Sequence, residues 1–454
     1  MRFTNTILLS LLAAFTTVEA GCSFVGGNYY CDEVDAVVYS NVGYSGSYSD
    51  VTNMDEKSCE CSQKSVSFEG SNSPLDEELS VHFRGPVRLL QFGVYYPGSG
   101  SNNQKRDVEE VEGCTTTKHV HHAHKREAAT KVVEVTQTVF VDANGQLVTT
   151  TSSSSFEAID KKVSTSSSNG QSSATDSTTT LSSTGAQSSS STSSSSSSQS
   201  SSSSSSGSGS GSSSDWNRVA YYQPGSTQNC TFLNTKGGSG SGTWSSCFGN
   251  SLSYAASNGV DGASSANALD KVLLKSDEEY AIFSGSKCSG DSCGYYRSDI
   301  PAYHGFGGAE KIFVFEFEMP HDSSSSGASN PDMPAIWLLN AKVPRTLQYG
   351  NSKCSCWSTG CGELDLFEIL SKGDERLISH LHSGQGSNGS QRGGGGSQDY
   401  FSRPTSGSFK GAAIFTSDGE IHVVKVDDGS DFSSGLSKST VSSWLSQTGG
   451  DAKL

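Results

Sequence analysis

From Thr149 to Ser214 the chain consists almost wholly of Ser, Thr, Gly and Gln. Such a stretch cannot bury enough apolar surface to offset the entropy lost on ordering it, so it reads as a disordered linker. In a secreted chain that composition suggests an O-glycosylated stalk. The stretch therefore divides 454 residues into two parts, and with only 33% apolar residues overall the part able to build a core is shorter than the whole.

What surrounds the stalk points to secretion. Residues 1–20 carry Arg2, the apolar run ILLSLLAAF and a small-residue end, Val18-Glu19-Ala20, as a signal peptide does. The run is well short of the ~20 residues needed to span a bilayer. No later stretch is apolar enough to span, and SSWLSQTGGDAKL lacks the tail of a lipid-anchor signal, so no membrane anchor is expected. Secretion places the twelve cysteines in an oxidising compartment, where disulfides are the default. A net charge of −16 excludes a nucleic-acid partner and suits a neutral polymer such as a polysaccharide. We expect a monomer without metal or cofactor.

Residues 21–100 read as a small all-β module: VDAVVYSNVGYSGSY and VRLLQFGVYYPG are strand-like runs broken by turn residues. Cys22, Cys31, Cys59 and Cys61 give it an even set for stapling, and it shows no carboxylate or histidine constellation. Residues 101–148 hold dibasic processing sites at Lys105-Arg106 and Lys125-Arg126, with His119, His121, His122 and His124 before the second. They also hold a possible hairpin about Asn144-Gly145. Residues 215–454 have the size, turns and strands of one β-sandwich, with sequons at Asn229 and Asn388. Seven cysteines lie there, and Cys354, Cys356 and Cys361 are expected in disulfides rather than on zinc, which wants a fourth ligand.

The chemistry concentrates in CGELDLFEIL, residues 361–370. Three acids stand among large apolar residues, although Asp and Glu are rarely buried unless paired. In a regular strand Glu363 and Asp365 share a face and Glu368 points away. One extra residue, a bulge at Leu366-Phe367, returns Glu368 to their side while Leu364 and Phe367 pack inward. Two carboxyls so placed suit cleavage of a glycosidic bond with retention, one as nucleophile and one as acid and base. Asp365 between them is expected to hydrogen-bond the nucleophile and, as a like charge, to raise the partner's pKa. Trp337, Trp357, Tyr349 and Tyr400 are candidates to stack on sugar rings.

Around this strand lie KIFVFEFEMP (Lys311 to Pro320), MPAIWLLN (Met333 to Asn340) and LISHLHSG (Leu377 to Gly384). With GELDLFE, these four motifs in this order resemble glycoside hydrolase family sixteen, the jelly-roll β-glucanases, and the bulged spacing is similar to its β-1,3-glucanase branch. The resemblance implies Glu363 as nucleophile, Asp365 as its supporter, Glu368 as acid/base, and Trp337 and His382 lining a cleft. The whole layout resembles the target-of-SBF family of fungal cell-wall proteins, described as endo-β-1,3-glucanases. That implies an all-β chain, a C-terminal β-jelly-roll sandwich plus a small N-terminal Cys-containing β module joined by the Ser-rich linker, acting on β-glucan in the fungal cell wall. Two rival readings remain: a transglycosylase using the same carboxylates, and a non-enzymatic glucan-binding wall protein. The Cys354–Cys361 cluster and the Gly-rich run 384–398 depart from the common glucanase pattern.

Overall fold

The computed structural model describes residues 21–98, 215–388 and 393–454. The expected signal peptide, the processing region with its histidines and Cys114, and the stalk lie outside the described residues. Among these, the protein is all-β, as expected, with two large sheets face to face. No helix in them is long and apolar enough to cross a membrane.

The first sheet runs, from one edge, through Gly262–Ala263, Ser253–Ala255, Cys230–Asn234, Glu279–Ser284, Leu79–Arg84, Ala335–Asn340, Glu363–Glu368 and Arg376–His382 to Gly394–Gly396. The second runs through Gly435–Leu436, Trp216–Gln223, Arg88–Pro97, Lys311–Glu318, Phe409–Phe415, Ile421–Lys425 and Ala36–Tyr39 to Gly450–Ala452. The central strands AIWLLN and KIFVFEFE read as nearly unbroken apolar runs because both their faces are covered. Between the sheets, Phe83 and Phe367 of the first meet Phe315 and Phe317 of the second, with ring centroids 5.2–6.4 Å apart. Each such buried ring contributes about 1.5–3 kcal/mol. The outer face of the second sheet is closed by the helix Lys438–Leu445, which buries Val441 and Trp444 against Ile312, Val314, Ile414 and Val424.

The two parts of the chain share one architecture strand by strand. Leu79–Arg84 pairs with Glu279–Ser284 on one side and Ala335–Asn340 on the other, and Arg88–Pro97 lies between Trp216–Gln223 and Lys311–Glu318. The physical reason is visible in the N-terminal strands, which present apolar side chains to the core on one face and need neighbours on both edges to satisfy their backbone groups. Lys311 fastens the same junction. Its fully buried ammonium donates to the carbonyls of Leu75 (2.8 Å), Phe306 (3.2 Å) and Glu77 (3.3 Å).

The disulfides correct the expectation that the first four cysteines staple residues 21–100 internally. Only Cys22–Cys31 does so, while Cys59 bonds Cys247 and Cys61 bonds Cys354. Both crossing bonds start at the turn and outgoing arm of a long hairpin, Gly46–Asp55 with Glu60–Phe68, which pairs with no other strand among the described residues. Cys288–Cys293 and Cys356–Cys361 close short loops. Cys230 is the odd cysteine of the C-terminal part; it is buried, and burial pushes its thiol up to about 12.

Candidate active site

The strand Glu363–Glu368 carries the irregularity that its sequence predicts. Against Arg376–His382, Asp365 opposes His380 and Glu368 opposes Ile378, so three steps on one strand match two on the other. Against Ala335–Asn340, Trp337 opposes Asp365 while Ile336 opposes Phe367, which leaves Leu366 as the extra residue. Leu364, Leu366 and Phe367 join the core between the sheets. Glu363, Asp365 and Glu368 are left on the opposite face with Trp337, whose ring belongs to a separate cluster on that side.

Each acid has its own partner. The indole N–H of Trp357 donates to Glu363 Oε2. His382 Nε2 donates to Asp365 Oδ2 at 3.0 Å. Arg84 Nη2 donates to Glu368 Oε1 at 3.1 Å, with its Nε on the Met333 carbonyl at 3.0 Å. The hydrogen bond expected from Asp365 to Glu363 is thus replaced. An indole N–H and an imidazole supply a separate donor to each carboxyl instead. Trp357 is set by a disulfide-rich loop: Cys356–Cys361 closes it, Cys61–Cys354 ties its start to the N-terminal hairpin, and Ser49 N donates to Thr359 Oγ1 at 2.9 Å.

Burial, then the charge of Asp365, raises both Glu363 and Glu368 well above the usual carboxylate range. His382 works against Glu363's rise, and Arg84 against that of Glu368. Burial pulls the His382 imidazolium down, but the hydrogen bond and charge of Asp365, with Glu363 and Glu368 behind it, push it up to about 9. Its neighbour His380, with ring centroids 4.6 Å apart, is held down to about 4 by burial and by the charge of His382. Three carboxyl groups thus share the face with two basic side chains, Arg84 and His382.

Residues 79–84 bring side chains that sequence reasoning missed. His82 stacks on Trp337 with centroids 5.0 Å apart, and its Nδ1 lies 3.3 Å from Glu279 Oε1. Glu279 also accepts from Gln348 Nε2 at 2.7 Å and from the Tyr349 hydroxyl at 2.8 Å. The available signal was the alternation in LSVHFR: Leu79, Val81 and Phe83 enter the core, so Ser80, His82 and Arg84 share the other face. Of the aromatic candidates, Trp337 is only 4% exposed and forms floor beneath the acids, Trp357 is half-buried beside Glu363, and Tyr349 is largely exposed on the Glu279 side. Tyr400 packs edge-on to Tyr30, at the Arg376 end of the neighbouring strand. Asn229 and Asn388 are exposed. Cys288, Cys293 and His304 converge, but the two thiols are spent in a disulfide and leave one donor for a metal.

Comparison with known proteins adds the family. The family models "Cell wall protein YJL171C/Tos1, C-terminal" and "N-terminal" match residues 214–444 and 35–97. A Candida albicans protein named "probable circularly permuted 1,3-beta-glucanase TOS1" is 57% identical over 472 residues, covering 100% of both chains. Its Saccharomyces cerevisiae namesake is 54% identical over 464 residues, covering 100% of this chain and 99% of its own. A Schizosaccharomyces pombe protein, also named a probable circularly permuted 1,3-beta-glucanase, is 45% identical over 496 residues, covering 96% of each. No solved structure matches. With both of its family segments matched and full-length relatives at this identity, the chain belongs to the Tos1/YJL171C family of cell wall proteins.

Proposed function

We propose that the chain is a retaining endo-β-1,3-glucanase acting on fungal cell-wall glucan, with a part in organising that wall. The observation that carries this reading is the extra residue at Leu366, which sets Glu363, Asp365 and Glu368 on one face with a separate donor on each. The relatives' names supply the 1,3-β-glucan, and the resemblance of the four motifs to family sixteen supplies the roles.

In this reading Glu363 is the nucleophile. Trp357 holds one of its oxygens, so the other is free to attack the anomeric carbon as the glycosidic bond breaks. Glu368, in its protonated form, gives its proton to the departing glycosidic oxygen. Retention requires carboxyls about 5–5.5 Å apart, which suits residues on one face with Asp365 between them. Glu368, now ionised and stabilised by Arg84, then takes a proton from water. The resulting oxygen attacks the anomeric carbon and releases Glu363. Asp365, anchored by His382, lies between the two glutamates, and its charge raises both.

The test is the full chain on soluble β-1,3-glucan, as wild type, Glu363→Gln and Glu368→Gln, with reducing ends and the first-formed anomer read by NMR. Wild type should release the β-anomer first, and each substitution should remove most of the activity. Equal activity in all three sinks the reading. Products longer than the starting oligosaccharide would move the second step from water to another glucan chain.

A further inference from the structure

The described residues expose few large apolar side chains: Phe24, Val25, Tyr29, Trp244, Leu273 and Tyr349. Half of that set sits in one hairpin, Ser23–Val25 with Asn28–Tyr30, closed across its base by Cys22–Cys31. Phe24 and Tyr29 are cross-strand partners with ring centroids 4.8 Å apart, and they remain 62% and 44% exposed. Contiguous exposed aromatic surface on a soluble domain marks an interaction site more often than an accident.

The hairpin's position says what it meets. Its other face is docked: Arg376 Nη1 donates to Ser23 Oγ at 3.0 Å, the Arg376 guanidinium lies over the Tyr30 ring at 4.2 Å, and Ser371 Oγ donates to the Gly26 carbonyl at 3.3 Å. Arg376 begins the strand that ends at His382. Because Leu377 and Leu381 enter the core, Arg376, Ile378, His380 and His382 share the face that carries the acids. Ile378 opposes Glu368, and Arg376 is two residues, about 7 Å, further on. Between the hairpin and this end of the strand lies an open cavity of about 690 Å³, lined by Val25, Glu33, Asp374, Arg376, Tyr400 and Ser402. The cavity thus lies at the Arg376 end of the face that carries the acids, and Phe24 and Tyr29 stand beside it on the hairpin's outward face.

We propose that this hairpin and cavity form an outlying subsite for a β-1,3-glucan chain that continues beyond the carboxylates. The proposal rests on the glucanase reading for the identity of the polymer. Polar groups around Arg376 and Glu33 suit sugar hydroxyls, while the Phe24–Tyr29 surface suits the C–H faces of the rings. The disulfide and the Arg376 contacts order the platform beforehand, so little entropy is lost when a chain settles on it. No charged ligand is called for, because Arg376 is already paired with Asp374 at 2.8 and 3.0 Å.

The experiment separates this subsite from catalysis by measuring binding. Full-length protein carrying Glu363→Gln is titrated calorimetrically with soluble β-1,3-glucan, a hexasaccharide and a trisaccharide, alone and with Phe24→Ala/Tyr29→Ala added. Loss of the two rings should weaken polymer binding about tenfold, with a deficit that shrinks as the ligand shortens. Phe24→Tyr/Tyr29→Phe should restore it, and Trp244→Ala, removing another exposed ring, should leave it unchanged. An unchanged melting temperature in each variant shows that the fold is intact. Equal polymer binding by parent and double alanine variant overturns the proposal, as does an equal deficit for all three ligands or with Trp244→Ala. Wild type that binds through the hairpin yet releases no reducing ends would keep this site and remove the hydrolase reading. Wild type that cleaves glucan while the hairpin variants bind normally would do the reverse.

Discussion

Two strands supply most of the polar chemistry on one sheet face, and they differ in how openly they carry it. Glu363–Glu368 holds three acids among leucines and phenylalanine, and its own spacing demands a bulge if the acids are to act together. Leu79–Arg84 holds one serine, one histidine and one arginine, which in an isolated segment look like an ordinary solvated face. Yet Arg84 is the partner of Glu368, and His82 lies on the ring of Trp337. A strand crowded with costly groups declares itself, because each buried charge needs an explanation. A strand that answers those charges stays silent until its neighbours are known.

The largest test of this contrast is on the carboxylate side. Glu363→Gln and Glu368→Gln should each lower kcat/KM on β-1,3-glucan about 10³-fold, against a smaller effect from any change in the N-terminal strand. An Arg84→Ala variant as inactive as these would break the comparison. The covalent link between the regions comes next. Cys61→Ser/Cys354→Ser removes a bond between residues 293 apart and should cost about 3–4 kcal/mol, read as a lower melting temperature. Since the Trp357 loop is tied at that point, kcat should fall as well.

Arg84→Ala should lower kcat/KM about 30-fold, the worth of a hydrogen bond to a charged group. Its pH profile is the sharper readout. Arg84 holds Glu368 down, so its loss raises the acid and moves the basic limb of the profile to higher pH. Trp357→Phe keeps the ring and deletes the N–H that favours ionised Glu363. A drop of about tenfold is expected, with the acidic limb displaced upward.

The smallest effect is on stability. Glu363, Glu368 and His382 all have folded-state pKa values raised above their unfolded ones, so the native state binds more protons than the unfolded state. Their stabilisation is complete below the unfolded carboxylate pKa of about 4.3 and is lost as pH climbs through the raised values, up to about 9 for His382. Buried Lys311, lowered to about 7 by burial, acts with the opposite sign above that pH. The difference between wild type and Glu363→Gln/Glu368→Gln cancels Lys311. The variant should gain about 2 kcal/mol on wild type between pH 5 and 8 in chemical denaturation; a parallel pair of curves would contradict the shifted pair.

Much was legible before any coordinates. VRLLQFGVYYPG announced a strand, and ELDLFE announced its bulge, because period and burial are written locally. The pairing of Cys59 and Cys61 was not legible. Cysteines close in sequence look like natural partners, whereas these two are carried on a hairpin to Cys247 and Cys354. Nor was the choice of donors: Trp357 for Glu363 and His382 for Asp365 depend on a loop closed by Cys356–Cys361 and on the register of the adjacent strand.

From residue order alone came the all-β class, the place of the acids and the irregularity that turns them to one side, since alternation and the cost of burying charge act within a few residues. Tertiary structure alone decided that Leu79–Arg84 would lie beside Ala335–Asn340 and reach Glu368 with Arg84. Contact across the 284 residues between Arg84 and Glu368 is set by which apolar faces complete a common core, and no local pattern encodes that choice.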